Sequence, residues 1–120
     1  MIGYVDDSGR ALVSLRVQSE HSISEVELQV WIDTGFTGDL VLPQSVVNSM
    51  NLRASSSIEA VLADGSRATL LVYSCLMNWF DELRELEVLG NDGASPLLGV
   101  GLLRSRRLLI DYNANTIQLD

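Results

Sequence analysis

The sequence predicts an all-β, barrel-like domain with one or two short helices. Three observations predict it: apolar residues alternate with period two over several segments, turn-forming Asp, Asn and Gly separate those segments, and one short stretch has helical spacing. At 120 residues the chain is the size of one ordinary domain, so residues 1–120 are expected to form a single domain.

The first alternating segment, residues 11–17, puts Val13, Leu15 and Val17 on one face of a strand. Residues 25–32 alternate more strictly, with Val26, Leu28, Val30 and Ile32 on one face, and run directly into Asp33-Thr34-Gly35. A carboxylate therefore stands where a buried strand ends. After Gly38, Leu40-Val41-Leu42 leads to Pro43 at a first helical position, and Val46, Val47 and Met50 predict one short helix over residues 44–50. Residues 58–62 and 68–73 are β-prone, and Ala63-Asp64-Gly65-Ser66-Arg67 between them predicts a hairpin with a polar tip. Residues 79–86 fit an amphipathic helix, whereas residues 71–79 and 84–89 fit strands around a turn near Asp81-Glu82, and the hairpin is the expectation adopted. Gly90-Asn91-Asp92-Gly93 reads as loop, and residues 96–103 are apolar but broken by glycine. Residues 108–112 and 116–119 flank an Asn113-Ala114-Asn115 turn.

Bulk properties narrow the function. A net charge of -8 repels phosphates and anionic lipid, and the basic residues are scattered except for Arg104, Arg106 and Arg107, so nucleic acid is not an expected partner. No apolar stretch approaches membrane-spanning length, and residues 1–7 lack the basic start and apolar run of a signal segment. A cytoplasmic location is expected, with Met1 favouring synthesis as the chain stands. Cys75, the one cysteine, lies among apolar residues and reads as a buried structural thiol, which fits a reducing compartment. The acids Asp6, Asp7, Asp81, Glu82, Glu85 and Glu87 lack calcium-loop spacing and read as solvated faces, so neither metal nor cofactor is expected. His21 has no serine or cysteine motif to activate and is assigned no role. Trp31, Met77, Trp79 and Phe80 read as core or interface residues.

Three segments then carry the chemistry. Residues 32–38 read Ile-Asp-Thr-Gly-Phe-Thr-Gly, residues 62–66 Leu-Ala-Asp-Gly-Ser, and residues 96–99 Pro-Leu-Leu-Gly. In this order they resemble the single-domain retropepsin-like aspartic proteases, especially bacterial members, over nearly the whole chain. The resemblance implies a closed acid-protease-like barrel and an aspartic endopeptidase with Asp33 as its catalytic carboxylate. Thr34 would bond across a dimer, and the Gly35 N–H would donate to the carboxylate. Ala63, Asp64, Gly65 and Ser66 would form a flap over a peptide or protein substrate, and Leu97, Leu98 and Gly99 would pack under the catalytic loop.

Peptide hydrolysis by carboxylates needs one ionised group to take a proton from water and one protonated group to polarise the carbonyl. Two carboxylates about 3 Å apart share a proton for that reason. No second Asp-Thr-Gly or Asp-Ser-Gly exists in the chain, so a homodimer would supply the second Asp33. Retroviral enzymes pair an aspartate two residues after the triplet glycine with an arginine after the later glycine. Thr37 and Val100 stand there, so neither charge is stranded and a different dimer-stabilising device is implied. The rival reading is a non-catalytic dimerisation or peptide-binding module with the same fold.

Overall fold

The computed structural model describes residues 1–93 and 95–120. In chain order its strands are β1 (Ile2–Val5), β2 (Ala11–Val17), β3 (Val26–Ile32) and β4 (Leu40–Pro43), then helix α1 (Gln44–Ser49), β5 (Ala54–Val61), β6 (Arg67–Trp79), β7 (Glu82–Asn91) and β8 (Leu97–Leu98), then helix α2 (Val100–Leu103), β9 (Leu108–Asp111) and β10 (Thr116–Leu119). The strands form one sheet in the order β5-β6-β7-β4-β8-β3-β2-β1-β10-β9.

The alternation read from sequence sets the core. Val13, Leu15 and Val17 of β2 and Val30 and Ile32 of β3 are buried together with Leu40, Leu42, Leu86, Leu98, Ile117 and Leu119. Each such side chain contributes roughly 1.5–3 kcal/mol on leaving water. Cys75 lies in this core, fully buried, and burial pushes its thiol up to about 12, with Asp39 and Glu20 adding like-charge opposition. Trp79 is buried too, and its Nε1–H donates to the Leu102 carbonyl at 3.1 Å, tying the β6–β7 hairpin to α2. The hairpin turns at Phe80 and Asp81, both left-handed (φ 52° and 65°), as a two-residue turn between twisted strands requires. Arg106 lies 3.8 Å over the Phe80 ring, and Arg107 pairs with Asp120 at 3.4 Å, so these two basic residues are accounted for locally.

Four sequence expectations are corrected. The sheet does not close into a barrel: β5 and β9 each pair on one side only, and β6 reaches the end of β2 through a single bridge between Gln18 and Leu76. β1 was not foreseen, because only Val5 of it is buried while Ile2 and Tyr4 face solvent, leaving no alternation to read. Gly90 and Asn91 belong to β7, since β4 offers them a parallel ladder at Leu42 and Pro43. Of the two expectations for Trp31, core or interface, the core is excluded: it keeps 39% of its surface exposed, with the Arg10 guanidinium 5.9 Å from its ring.

The β5–β6 hairpin lies where the sequence put it. Its distal half is exposed, with only Ala60 of β5 partly covered. At its base the register slips by one residue between Ala54 and Ser56, a bulge at Ser55 opposite Val72 and Tyr73. The Ser55 hydroxyl donates to the Val72 carbonyl at 3.2 Å.

Candidate active site

β3 delivers Asp33 by burying one face and pairing in parallel with β8, Trp31 against Leu97 and Ile32 against Leu98. The Asp33 N–H continues that ladder, donating to the Leu98 carbonyl at 2.9 Å. Its side chain then closes a tight turn: the Gly35 N–H donates to Asp33 Oδ1 at 2.9 Å, and the Phe36 N–H donates to the Asp33 carbonyl at 3.2 Å. Asp33 is half-buried, and Thr34 and Gly35 are exposed. Asp33 Oδ2 accepts no hydrogen bond among the described residues.

Residues 97–101 clasp this loop from below. The Val100 N–H donates to the Phe36 carbonyl at 2.8 Å, the Gly99 N–H to the Asp39 carbonyl at 2.8 Å, and the Gly101 N–H to the Gly38 carbonyl at 2.9 Å. A Cβ on Gly99 would run into the Gly38 carbonyl oxygen and the Phe36 ring, so glycine there is a requirement of space. Leu97, Leu98 and Gly99 are thus brought together with Asp33, Thr34 and Gly35. Thr37 is exposed, and Val100 contributes its backbone N–H, so the clasp runs on main-chain bonds without an ion pair.

Ala63, Asp64, Gly65 and Ser66 form the tip of the β5–β6 hairpin. The Gly65 N–H donates to the Leu62 carbonyl at 2.9 Å, the Leu62 N–H to the Ser66 carbonyl at 2.7 Å, and Gly65 is left-handed at φ +84°. Asp64 Oδ1 accepts the Ser66 hydroxyl at 2.5 Å and the Ser66 N–H at 2.9 Å, and these bonds, hydroxyl first, hold the carboxyl below its ordinary value of 3.8. Hairpin and loop meet at a cavity of about 320 Å³, walled by residues 36–39 of the loop and by Ile58, Val72, Glu87 and Leu89 of the sheet.

Comparison with solved structures finds a retropepsin-like aspartic protease from Rickettsia conorii, which superposes with a TM-score of 0.59 over 99% of this chain and 88% of that one at 16% identity. The fold is retropepsin-like. The retroviral protease-like domain of Ddi1 from Leishmania major is a weaker neighbour, with a TM-score of 0.49 and 12% identity over 91% of this chain and 88% of that one. No family model and no curated protein matches the sequence. Within the retropepsin-like fold, Asp33 sits at the turn after β3 and residues 97–99 lie beneath it.

Sequence reasoning passed over three residues of this site. Phe36 lies across Gly38 and Gly99, Asp39 Oδ2 accepts the Glu87 N–H at 3.1 Å, and a Cβ on Gly101 would meet Asp39 Oδ1. The signal was the doubled glycine of Gly99-Val100-Gly101, which marks two close backbone approaches in succession.

Proposed function

We propose that the chain is an aspartic endopeptidase acting as a homodimer, with residues 1–120 as one domain and one Asp33 from each subunit in the reacting pair. The observation that carries this reading is the half-buried Asp33 carboxylate, fixed through Oδ1 by the Gly35 N–H and with Oδ2 unbonded among the described residues. Asp64 and Asp111 also close turns through Oδ1 alone, but both are exposed, whereas Asp33 is half-buried where β3 ends, and a free oxygen in that setting is available to handle a proton. In the pair, the ionised Asp33 takes a proton from water as its oxygen attacks the peptide carbonyl. The protonated partner gives its proton to the carbonyl oxygen. Collapse of the tetrahedral intermediate returns a proton to the leaving nitrogen and restores the shared-proton state. Thr34, exposed beside Asp33, is available to bond the facing loop, and the β5–β6 hairpin covers the extended peptide.

Asp33→Asn is expected to reduce peptide cleavage to background while far-UV circular dichroism and the thermal midpoint are kept or raised, since the substitution relieves like-charge repulsion across the twofold axis. Cleavage that scales with concentration where sedimentation finds only monomer overturns the dimer. The rate is expected to be greatest in acid and to fall as pH rises, because the general-acid proton is lost; a pH profile that climbs to a plateau through pH 8 overturns the dyad. Tight binding of a pepstatin-type peptide without any turnover favours the non-catalytic module instead.

A further inference from the structure

The cavity between the Asp33 loop and the hairpin has a chemistry of its own. The register puts its sheet-side wall on one face: Val72 pairs with Leu89 of β7 and with Ser56 of β5, Ile58 lies two residues beyond Ser56, and Glu87 two before Leu89. With Phe36 these residues give apolar walls and an acidic rim made by Asp39 and Glu87. At about 320 Å³ the space stands at the low end of ligand sites, room for one long side chain. The Glu87 N–H donates to Asp39 Oδ2 at 3.1 Å, which fixes the Asp39 carboxylate against the β7 backbone on the rim that Glu87 also lines. Neither belongs to any ion pair among the described residues.

Two carboxylates on one rim without a paired cation give its mouth a negative potential, which attracts a positive charge. An apolar slot with such a mouth matches a side chain with an aliphatic stem and a positive end. A purely aliphatic side chain would take water from the carboxylates without replacing it, and an acidic one would add a third like charge. We propose that this cavity is a specificity pocket for a Lys or Arg side chain, so that the substrate class is polypeptide with a basic residue to one side of the cleaved bond. Its catalytic consequence rests on the endopeptidase reading; the binding does not.

The test uses the Asp33→Asn chain, immobilised, and hexapeptide pools randomised except for one fixed residue: Lys, Arg, norleucine or Glu. The Lys and Arg pools are expected to be retained about fivefold or more over norleucine, with Glu weakest. Adding Glu87→Gln, which keeps the backbone N–H that donates to Asp39, should reduce that preference about twofold or more. Equal retention of Lys and norleucine overturns the pocket. So does a Lys preference that Glu87→Gln leaves unchanged, since that is bulk attraction to an acidic chain. Cleavage of the same pools by the unsubstituted chain separates the two readings. Retention of Lys without any cleavage sinks the endopeptidase and leaves the pocket, whereas cleavage without Lys or Arg preference leaves the endopeptidase and sinks the pocket.

Discussion

The clasp of residues 33–39 on residues 97–101 and the arm formed by the distal halves of β5 and β6 meet at one cavity, and they are built in contrary ways. In the clasp four backbone bonds of 2.8–2.9 Å join the two segments, from the N–H groups of Asp33, Gly99, Val100 and Gly101, and the chain passes so close that Gly99 has no room for a Cβ although its φ of −99° suits any residue. In the arm nothing lies within 4 Å of a Cβ on Gly65, yet its φ of +84° suits glycine alone. One glycine is required by its neighbours and the other by its own backbone. On the endopeptidase reading, the group that would hold a carboxylate in place is thus embedded, and the group that would admit a peptide is left free on both sides.

Breaking the clasp should have the largest effect. Gly99→Val drives a branched side chain into the Gly38 carbonyl, which cannot rotate away, and is expected to cost about 3 kcal/mol or more and to remove activity together with stability. A urea midpoint within error of the unsubstituted protein would show that the loop yields and that the clasp is not rigid. Gly65→Val, the matching change in the arm, meets no atom and pays only for its φ, roughly 1–2 kcal/mol and locally. It should raise KM and lower kcat together with little shift in the urea midpoint. Unchanged steady-state constants would make the arm an ordinary surface turn. The smallest effect is expected from Asp64→Asn at the tip. The Asp64 carboxyl lies below its ordinary value of 3.8 because the ionised form accepts from Ser66, so its ordering of the tip is present above that value and lost as pH falls through the lower folded value. Amide exchange at Ser66 should be faster in the variant near neutral pH and should converge with the unsubstituted protein in strong acid. The global midpoint should not move.

What was legible follows the same division. Val13, Leu15, Val17, Val30 and Ile32 announced β2 and β3 because one face of each is buried, and Asp64-Gly65 announced the arm because a turn is encoded in its own residues. Asp33, Gly35 and Leu98 were found as pieces of a pattern, and the structure puts them in one hydrogen-bonded unit. The parts that escaped depend on distant partners. β1 is a strand because β2 and β10 flank it, and Gly90 is extended because β4 runs alongside. The open sheet escaped for the same reason, since closure depends on where β5 and β9 end up, and no local pattern states that.

The bulge at Ser55 has a mechanical meaning. One strand of the arm carries a residue more than its partner at the very place where β6 leaves the core, between buried Val72 and exposed Leu71. A ladder with that slack can rotate without giving up the bonds on either side of it. From Ser56 to Leu62 the arm extends roughly 20 Å at about 3.3 Å per residue. A turn of about 15° at its root therefore sweeps the tip through roughly 5 Å, close to the spacing of one peptide strand from the next. On the endopeptidase reading, such a lever would need no melting of the core to let an extended chain in, because its fulcrum is the one serine, Ser55, that the bulge leaves without a ladder partner.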